Sequence, residues 1–197
     1  MSLNCVRRLV GRLNGKIQQA MQSSQRYPLD RVHVDEFLIG GPEENKRGRS
    51  KGKKRLVVLA LEIVPNGMGR AYAQIIERAS AKEFKKFFHK HISNDAHITT
   101  DEWRGYSPLK KEYKNLEQRL SENGKSFKEI HIHIMNLKGW LRGIHHHCSK
   151  ERLQGYLDEY HFRYNRRNNM GTIFDLLLRR MIINEPKRIV AMVSKDT

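Results

Sequence analysis

Cysteine is nearly missing from this sequence: Cys5 and Cys148 are the only two, and no CxxC pair exists. That excludes a disulfide framework and a four-cysteine zinc site. Long apolar runs are missing as well, since none approaches the roughly 18–20 residues of a membrane-spanning helix. The opening stretch MSLNCVRRLVGRLNG carries scattered arginines where a secretory signal has a sustained apolar block. A reducing cytoplasm is the expected location. Proline is scarce, at five in 197 residues, and 38% of the chain is hydrophobic, so a folded domain is expected rather than a disordered chain. Acidic residues are outnumbered, 21 Asp and Glu against 38 Lys and Arg, which leaves a formal charge of +17. An excess of that size favours a polyanionic partner, because each phosphate contact releases condensed counterions.

What is present divides into three parts: a basic helix and connector over residues 1–27, a main domain over 28–183 and a tail over 184–197. Val6, Leu9, Val10, Leu13 and Ile17 recur at helical spacing with arginines between them. Arg31–Ile39 has the β-branched and aromatic content of a strand, with Asp35 on one face beside His33 and Phe37, and Val32, Val34 and Leu38 on the other. Between the glycines that end this strand and the next apolar run, Lys46, Arg47, Arg49, Lys51, Lys53, Lys54 and Arg55 form a basic arm. It reads equally as a solvated hairpin or as a DNA contact. Leu56–Ile63, apolar almost throughout, suits a central strand covered on both faces. RAYAQIIE is the third, antiparallel strand.

Ser80 and Glu83 form a capping-box pattern ahead of the amphipathic helix FKKFFHKHI. HITT is a short strand ending at Asp101, and Ser107 with Pro108 marks a helix start. From Lys128 the pattern is helical. Ile130, Ile134, Leu137 and Leu141 make one stripe, flanked on one side by His133, Asn136 and Trp140 and on the other by His131, Lys138 and Arg142. A helix from near Ser149, buried through Leu153, Tyr156, Leu157, Tyr160 and Tyr164, and another over Ile173–Met181 complete the chain. Strands followed by alternating helices and strands predict an α/β or α+β mixed sheet with helices on its faces.

Two carboxylates stand out by position. Asp35 sits in mid-strand, where an isolated buried carboxylate is costly, and Asp101 closes a later strand. Strand ends of open sheets are where sites collect. Paired aspartates are hard oxygen donors suited to magnesium, and two such ions activate a water or a 3′-hydroxyl against a phosphodiester.

The segments VHVDEFLIGGPEENKRGRSKGKKRLVVLALE, ITTDEWRGY, HIHIMNLKGWLRGIHHHCS and LQGYLDEYHFRYNRR, in this order, resemble the ISXO-like group of bacterial insertion-sequence transposases. The resemblance implies a ribonuclease H-like core with an acidic triad that holds Mg2+ or Mn2+, two ions in all. It implies DNA cleavage and strand transfer, with transposon ends and target DNA as partners, a homo-oligomer in the synaptic complex, and a place at the nucleoid. Asp35 matches the first acid and Asp101 the second. The third is expected five residues after a helical His, and five after His131 stands Asn136, 35 residues beyond Asp101. The amide oxygen of Asn136 can ligate a hard cation but carries no charge, so a second reading stays open: a DNA-binding remnant without catalysis. Members of the group commonly carry an N-terminal zinc ribbon, for which this sequence has no cysteine pairs; a truncated copy is one expectation.

Several cations are candidates for holding DNA: the arm from Lys46 to Lys54; His131, Lys138 and Arg142 on one helix; His146; and Arg163, Arg166 and Arg167, which equally suit the helix dipole. Trp140 is expected in the core rather than on a base. The run His145, His146, His147, Cys148 points its ligands apart and is not expected to hold zinc.

Overall fold

The protein is described from a computed structural model that covers residues 3–22, 28–40, 54–145 and 151–183. Its elements are α1 (Leu3–Met21), β1 (Leu29–Ile39), β2 (Arg55–Val64), β3 (Gly67–Ile76), α2 (Ala81–His91), β4 (Ile92–Thr100), β5 (Leu116–Gln118), α3 (Lys128–Ile144), α4 (Leu153–Tyr164) and α5 (Ile173–Ile183). The five strands form one sheet in the order β3-β2-β1-β4-β5. The first three pair antiparallel, and β4 and β5 run parallel to β1. This mixed sheet, flanked by helices, has the ribonuclease H-like arrangement that the resemblance implied.

The period of two along each strand separates two cores. Val32 and Val34 of β1, with Val58 and Ala60 of β2, face α2, whose Phe84, Phe87 and Phe88 are fully buried. Val57, Leu59 and Leu61 of β2, with Phe37, face Ile130, Ile134, Leu137 and Leu141 of α3 and Leu153 and Leu157 of α4. The central position of β2 explains its continuous apolar run, because both its faces are covered. Each buried Phe or Leu contributes roughly 1.5–3 kcal/mol of apolar transfer.

Some expected boundaries move. The strand ending at Asp101 begins at Ile92, directly after α2, where a shorter one was expected. The Ser107–Pro108 start yields only a 3-10 turn, Ser107–Lys111. Ser80 does cap α2, but with backbone alone: its carbonyl accepts from Glu83 and Phe84, while its side chain makes no capping bond. Glu83 pairs with Lys86 instead of reaching back.

β3 is an outer strand, and α4 covers it through side-chain amides. Asn165 Oδ1 accepts from the Ala71 N–H at 2.8 Å, and its Nδ2 donates to the Ala71 carbonyl at 2.9 Å. Gln154 accepts from Ile75 N–H at 2.9 Å and donates to the Ala73 carbonyl at 3.2 Å.

Under α4 lies a pair of buried imidazoles. His161 Nδ1 is 2.7 Å from the Leu157 carbonyl, which can only accept, so that nitrogen carries the proton. Its Nε2 is therefore bare and accepts from His133 Nε2–H at 3.2 Å. A proton added to His161 would set two N–H groups against each other. Burial holds His133 at about 3, His161 at about 4 and, beneath Tyr72, His91 at about 3. The unfolded chain takes up these protons near pH 6.5, the fold only near 3–4, so stability falls as pH drops through that window. Burial lowers His33 too; it raises Asp158 to about 6 and lifts Asp35, which opposes the trend with two groups against four. Urea unfolding at pH 5 is expected to give a free energy lower than at pH 7 by on the order of 3 kcal/mol; a value that holds or rises would show that these rings are not buried neutral.

Candidate active site

β1 and β4 are parallel neighbours in which Val34 pairs with Thr100. The next residue on each is an aspartate, Asp35 and Asp101. Asp35 faces α3, on the side of His33 and Phe37, as its place in the strand requires: the His33 ring lies edge-on to Phe127 at 5.6 Å, and Phe37 packs in the α3 core. Its side chain is only 20% exposed, and its Oδ1 accepts from the Glu36 backbone N–H at 2.8 Å. Burial pushes the Asp35 carboxyl above the ordinary range; His131 pulls it back, and the Asp101 charge pushes it further up. The two carboxylates therefore share one electrostatic neighbourhood.

The loop after β4 fixes Asp101. Its Oδ1 accepts from Trp103 N–H at 3.1 Å, and its own carbonyl accepts from Thr100 Oγ1 at 2.9 Å and from Gln118 Nε2 at 3.2 Å. Trp103 Nε1 donates to the Ala79 carbonyl at 3.0 Å, tying the loop to the segment before α2. Gly105 completes the turn because nothing larger fits: a Cβ there would come within 2.8 Å of the Phe84 ring and 2.9 Å of the Ala79 carbonyl. On the other face of the sheet, fully buried Tyr106 donates to Glu36 Oε2 at 2.7 Å. Burial, then the Glu36 charge, holds the Tyr106 phenol well above its ordinary value, so it remains a donor.

From α3, His131 Nε2 stands 3.3 Å from Asp35 Oδ2. Lys138, two turns on, lies with its Nζ 5.2 Å from the Phe37 ring centroid. Burial lowers its pKa, Asp35 raises it, and Arg142 and Lys54 push it down. Lys54 and Lys138 line one groove of about 440 Å3 at the end of β1, together with Glu36, Phe37 and Gly40. The flank of α3 that carries His131 and Lys138 thus faces the acidic pair. Asn136 is exposed. It follows His131 by five residues, about 7.5 Å along the axis and about 140° around it. It shares its flank with His133 and Trp140, which turn to α4 through His161 and Tyr160. The described contacts join His131 to Asp35; none of them brings Asn136 there.

The remaining candidates scatter. Trp140 packs on the α4 side, and His145 stacks on Tyr156 at 3.7 Å. Arg163 forms an exposed pair with Glu159 at 2.8 Å. Arg166 and Arg167 line a separate cavity beside β3. Lys46, Arg47, Arg49, Lys51, Lys53 and His146 lie outside the described residues. Among the described residues no three His, Cys, Asp or Glu side chains stand close enough to enclose an ion, and no helix is long and apolar enough to cross a membrane. Glu36, Tyr106 and Gln118 were not singled out in the sequence; the one available signal was the acidic pair Asp35–Glu36, which must send one carboxylate into each core.

A ribonuclease H-like sheet with one aspartate inside a strand and a second directly after its parallel neighbour defines a class of nucleic-acid-processing enzymes. Within that class the chain belongs to the family of the ISXO2-like transposase domain, whose model matches residues 29–165. It is accordingly a transposition protein, and DNA is its partner. No curated protein matches it.

The electrostatic coupling is directly measurable. Asp101→Asn is expected to lower the Asp35 pKa, because a like charge is removed, and His131→Gln to raise it. Carboxyl carbon chemical shifts followed against pH report both; an Asp35 titration unmoved by Asp101→Asn would mean that the two carboxylates are not neighbours.

Proposed function

We propose that this chain cuts and joins DNA strands during transposition of an insertion sequence, with Asp35 and Asp101 holding a divalent cation, Mg2+ or Mn2+. The observation that carries the reading is that each aspartate directly follows a member of the Val34–Thr100 pair on neighbouring parallel strands, with Asp35 largely buried beside the Asp101 charge. Two carboxylates so placed repel each other unless a cation or a proton joins them. Transposases of this type generally use divalent metals. The donor set fits: one or two carboxylates, with water and phosphate oxygens completing the shell, is the usual magnesium arrangement. When bound, such ions lower the pKa of a water and offset the charge of the phosphodiester, and two would flank the attacking and leaving oxygens.

The chain's own residues then divide the work. Asp35 and Asp101 bind. His131, within reach of Asp35 Oδ2, fixes that carboxylate's orientation, while Asn136, the third ligand that the resemblance implies, stands on the other flank of α3. Glu36, held by Tyr106, anchors the strand beneath Asp35. Lys54 and Lys138 lie where a strand entering the groove would bring its phosphates, with Arg142 one turn beyond Lys138. The arm from Lys46 to Lys53 and His146 supply further phosphate contacts. DNA ends are brought together by more than one copy of the chain, acting at the nucleoid.

The alternative, a DNA-binding protein without catalysis, draws on the neutral Asn136; the approach of an ionisable residue, His131, to the acidic pair counts against it. Nicking of supercoiled plasmid with Mg2+ or Mn2+ decides between them. Asp35→Ala and Asp101→Ala are each expected to lose at least about a hundredfold in rate, the scale of deleting a principal charge-stabilising group. His131→Ala should lose at least about tenfold, and Asn136→Ala should stay within about twofold. Cutting by both aspartate variants at the parent rate would refute the cation site. Salt-dependent binding with no cutting under either ion would establish the remnant.

A further inference from the structure

The apolar stripe of the N-terminal helix has no part in the cutting reaction. Val6, Val10, Leu13, Ile17 and Ala20 of α1 recur at spacings of four, three, four and three, the pattern of a helix face that packs on a partner. At its base the stripe is covered. Ala20 is buried and Ile17 half-buried where α1 meets α4 and α5, and Arg180 of α5 donates to the Ala20 and Gln22 carbonyls. Further out it is exposed, as is every residue from 4 to 14, with Leu9 on the rim of the stripe. A helical stretch of that length has little stability of its own in water; packing of its apolar face supplies it.

α5 carries a second such stripe. Phe174, Leu178 and Ile182, four apart, are 67%, 41% and 82% exposed. With Val6, Leu9, Val10 and Leu13 they leave on the order of 700 Å2 of apolar surface in water. That exceeds the largest patch of a typical monomer and comes close to what one partner gives to a standard interface.

Charge selects the pairing. At 100° per residue Arg8 and Arg12 stand on the back of α1, and Arg7 and Lys16 flank its stripe on either side. α1 has no acidic residue, so two such helices laid together would bring flanking cations face to face. α5 offers Asp175, exposed in its first turn beside Phe174. The same carboxylate would be pressed against lipid phosphates if the face lay on an anionic membrane.

We propose that two copies of this chain associate through these helices, the α1 stripe of each lying on the α5 stripe of the other. The exchange is reciprocal about a two-fold axis, so both stripes of both copies are covered at once. It goes beyond the cutting reaction and needs neither the cation site nor bound DNA, so it is tested in EDTA with no DNA present.

Sedimentation equilibrium of the full chain at about 1 to 100 μM is expected to give twice 23.2 kDa at the upper end. Leu13→Glu on α1 and Phe174→Glu on α5 should each weaken association at least about a hundredfold, since each damages both contacts of the pair. Leu120→Glu, which charges another exposed leucine just beyond β5, should change it by no more than about threefold. An equimolar mixture of the Leu13→Glu and Phe174→Glu chains should regain dimer, because the mixed pair keeps one contact undamaged on both sides. Leu9→Ala/Leu178→Ala trims the same stripes without adding charge; it should weaken association about tenfold or more, and it stays informative if a glutamate variant fails to fold. A parent chain of single mass throughout, parent-like association of Phe174→Glu, or a mixture no heavier than its components would overturn the assignment. So would a monomeric parent that binds vesicles of phosphatidylglycerol and phosphatidylcholine and loses them in Leu13→Glu, since the occupant would then be a membrane surface.

Discussion

The constraint on which this structure turns is the cost of holding two carboxylates side by side where water is scarce. Asp35 and Asp101 follow a paired Val34 and Thr100 on adjacent parallel strands, so pairing of the backbone alone forces the approach. For Asp35, desolvation and like charge both act against ionisation, and one helix answers with the His131 imidazole at contact distance and the Lys138 ammonium further along α3. The rest of the core serves to keep that arrangement still. The loop after β4 is tied down at Ala79 and Gln118, and the strand under Asp35 is anchored by a buried phenol on the opposite face. Two acids that must stay together need a rigid frame, and this one is distributed over segments far apart in the chain.

Much of the frame was legible in the sequence because it follows from local periodicity. The unbroken apolar run of β2 announced a strand covered on both faces, and alternation along β1 placed Asp35 beside His33 and Phe37. The four-three-four spacing of α3 separated its two flanks correctly. Less legible was whatever depends on competition between local and tertiary bonds. Ser80 and Glu83 have the composition of a capping box, yet Glu83 finds Lys86. Ser107–Pro108 starts only a short turn because the chain must return to form β5.

The site was legible in part. The two aspartates stood out by their strand positions, and the resemblance implied a shared role for them. Which residue of α3 meets them was harder, because a helix presents a different side chain every 100°. The resemblance implied Asn136 as the third ligand, and the contact that α3 makes with Asp35 comes from His131 on the other flank. Residues whose partners lie 79 to 94 positions away, Gln154 and Asn165, left no signal in the pattern. The four arginines that line the cavity beside β3 come from β3, α5 and the segment after α4, and no short window of the sequence contains them all.

The amides that α4 lays along β3 have a consequence for the sheet as a whole. Asn165 and Gln154 occupy outward-facing backbone groups of Ala71, Ala73 and Ile75, and those groups are what an incoming strand would need. Growth of the sheet on that side is thereby blocked by side chains that imitate a peptide. Extended segments of other molecules find no template there, and the protein can crowd against its copies without zipping edge to edge.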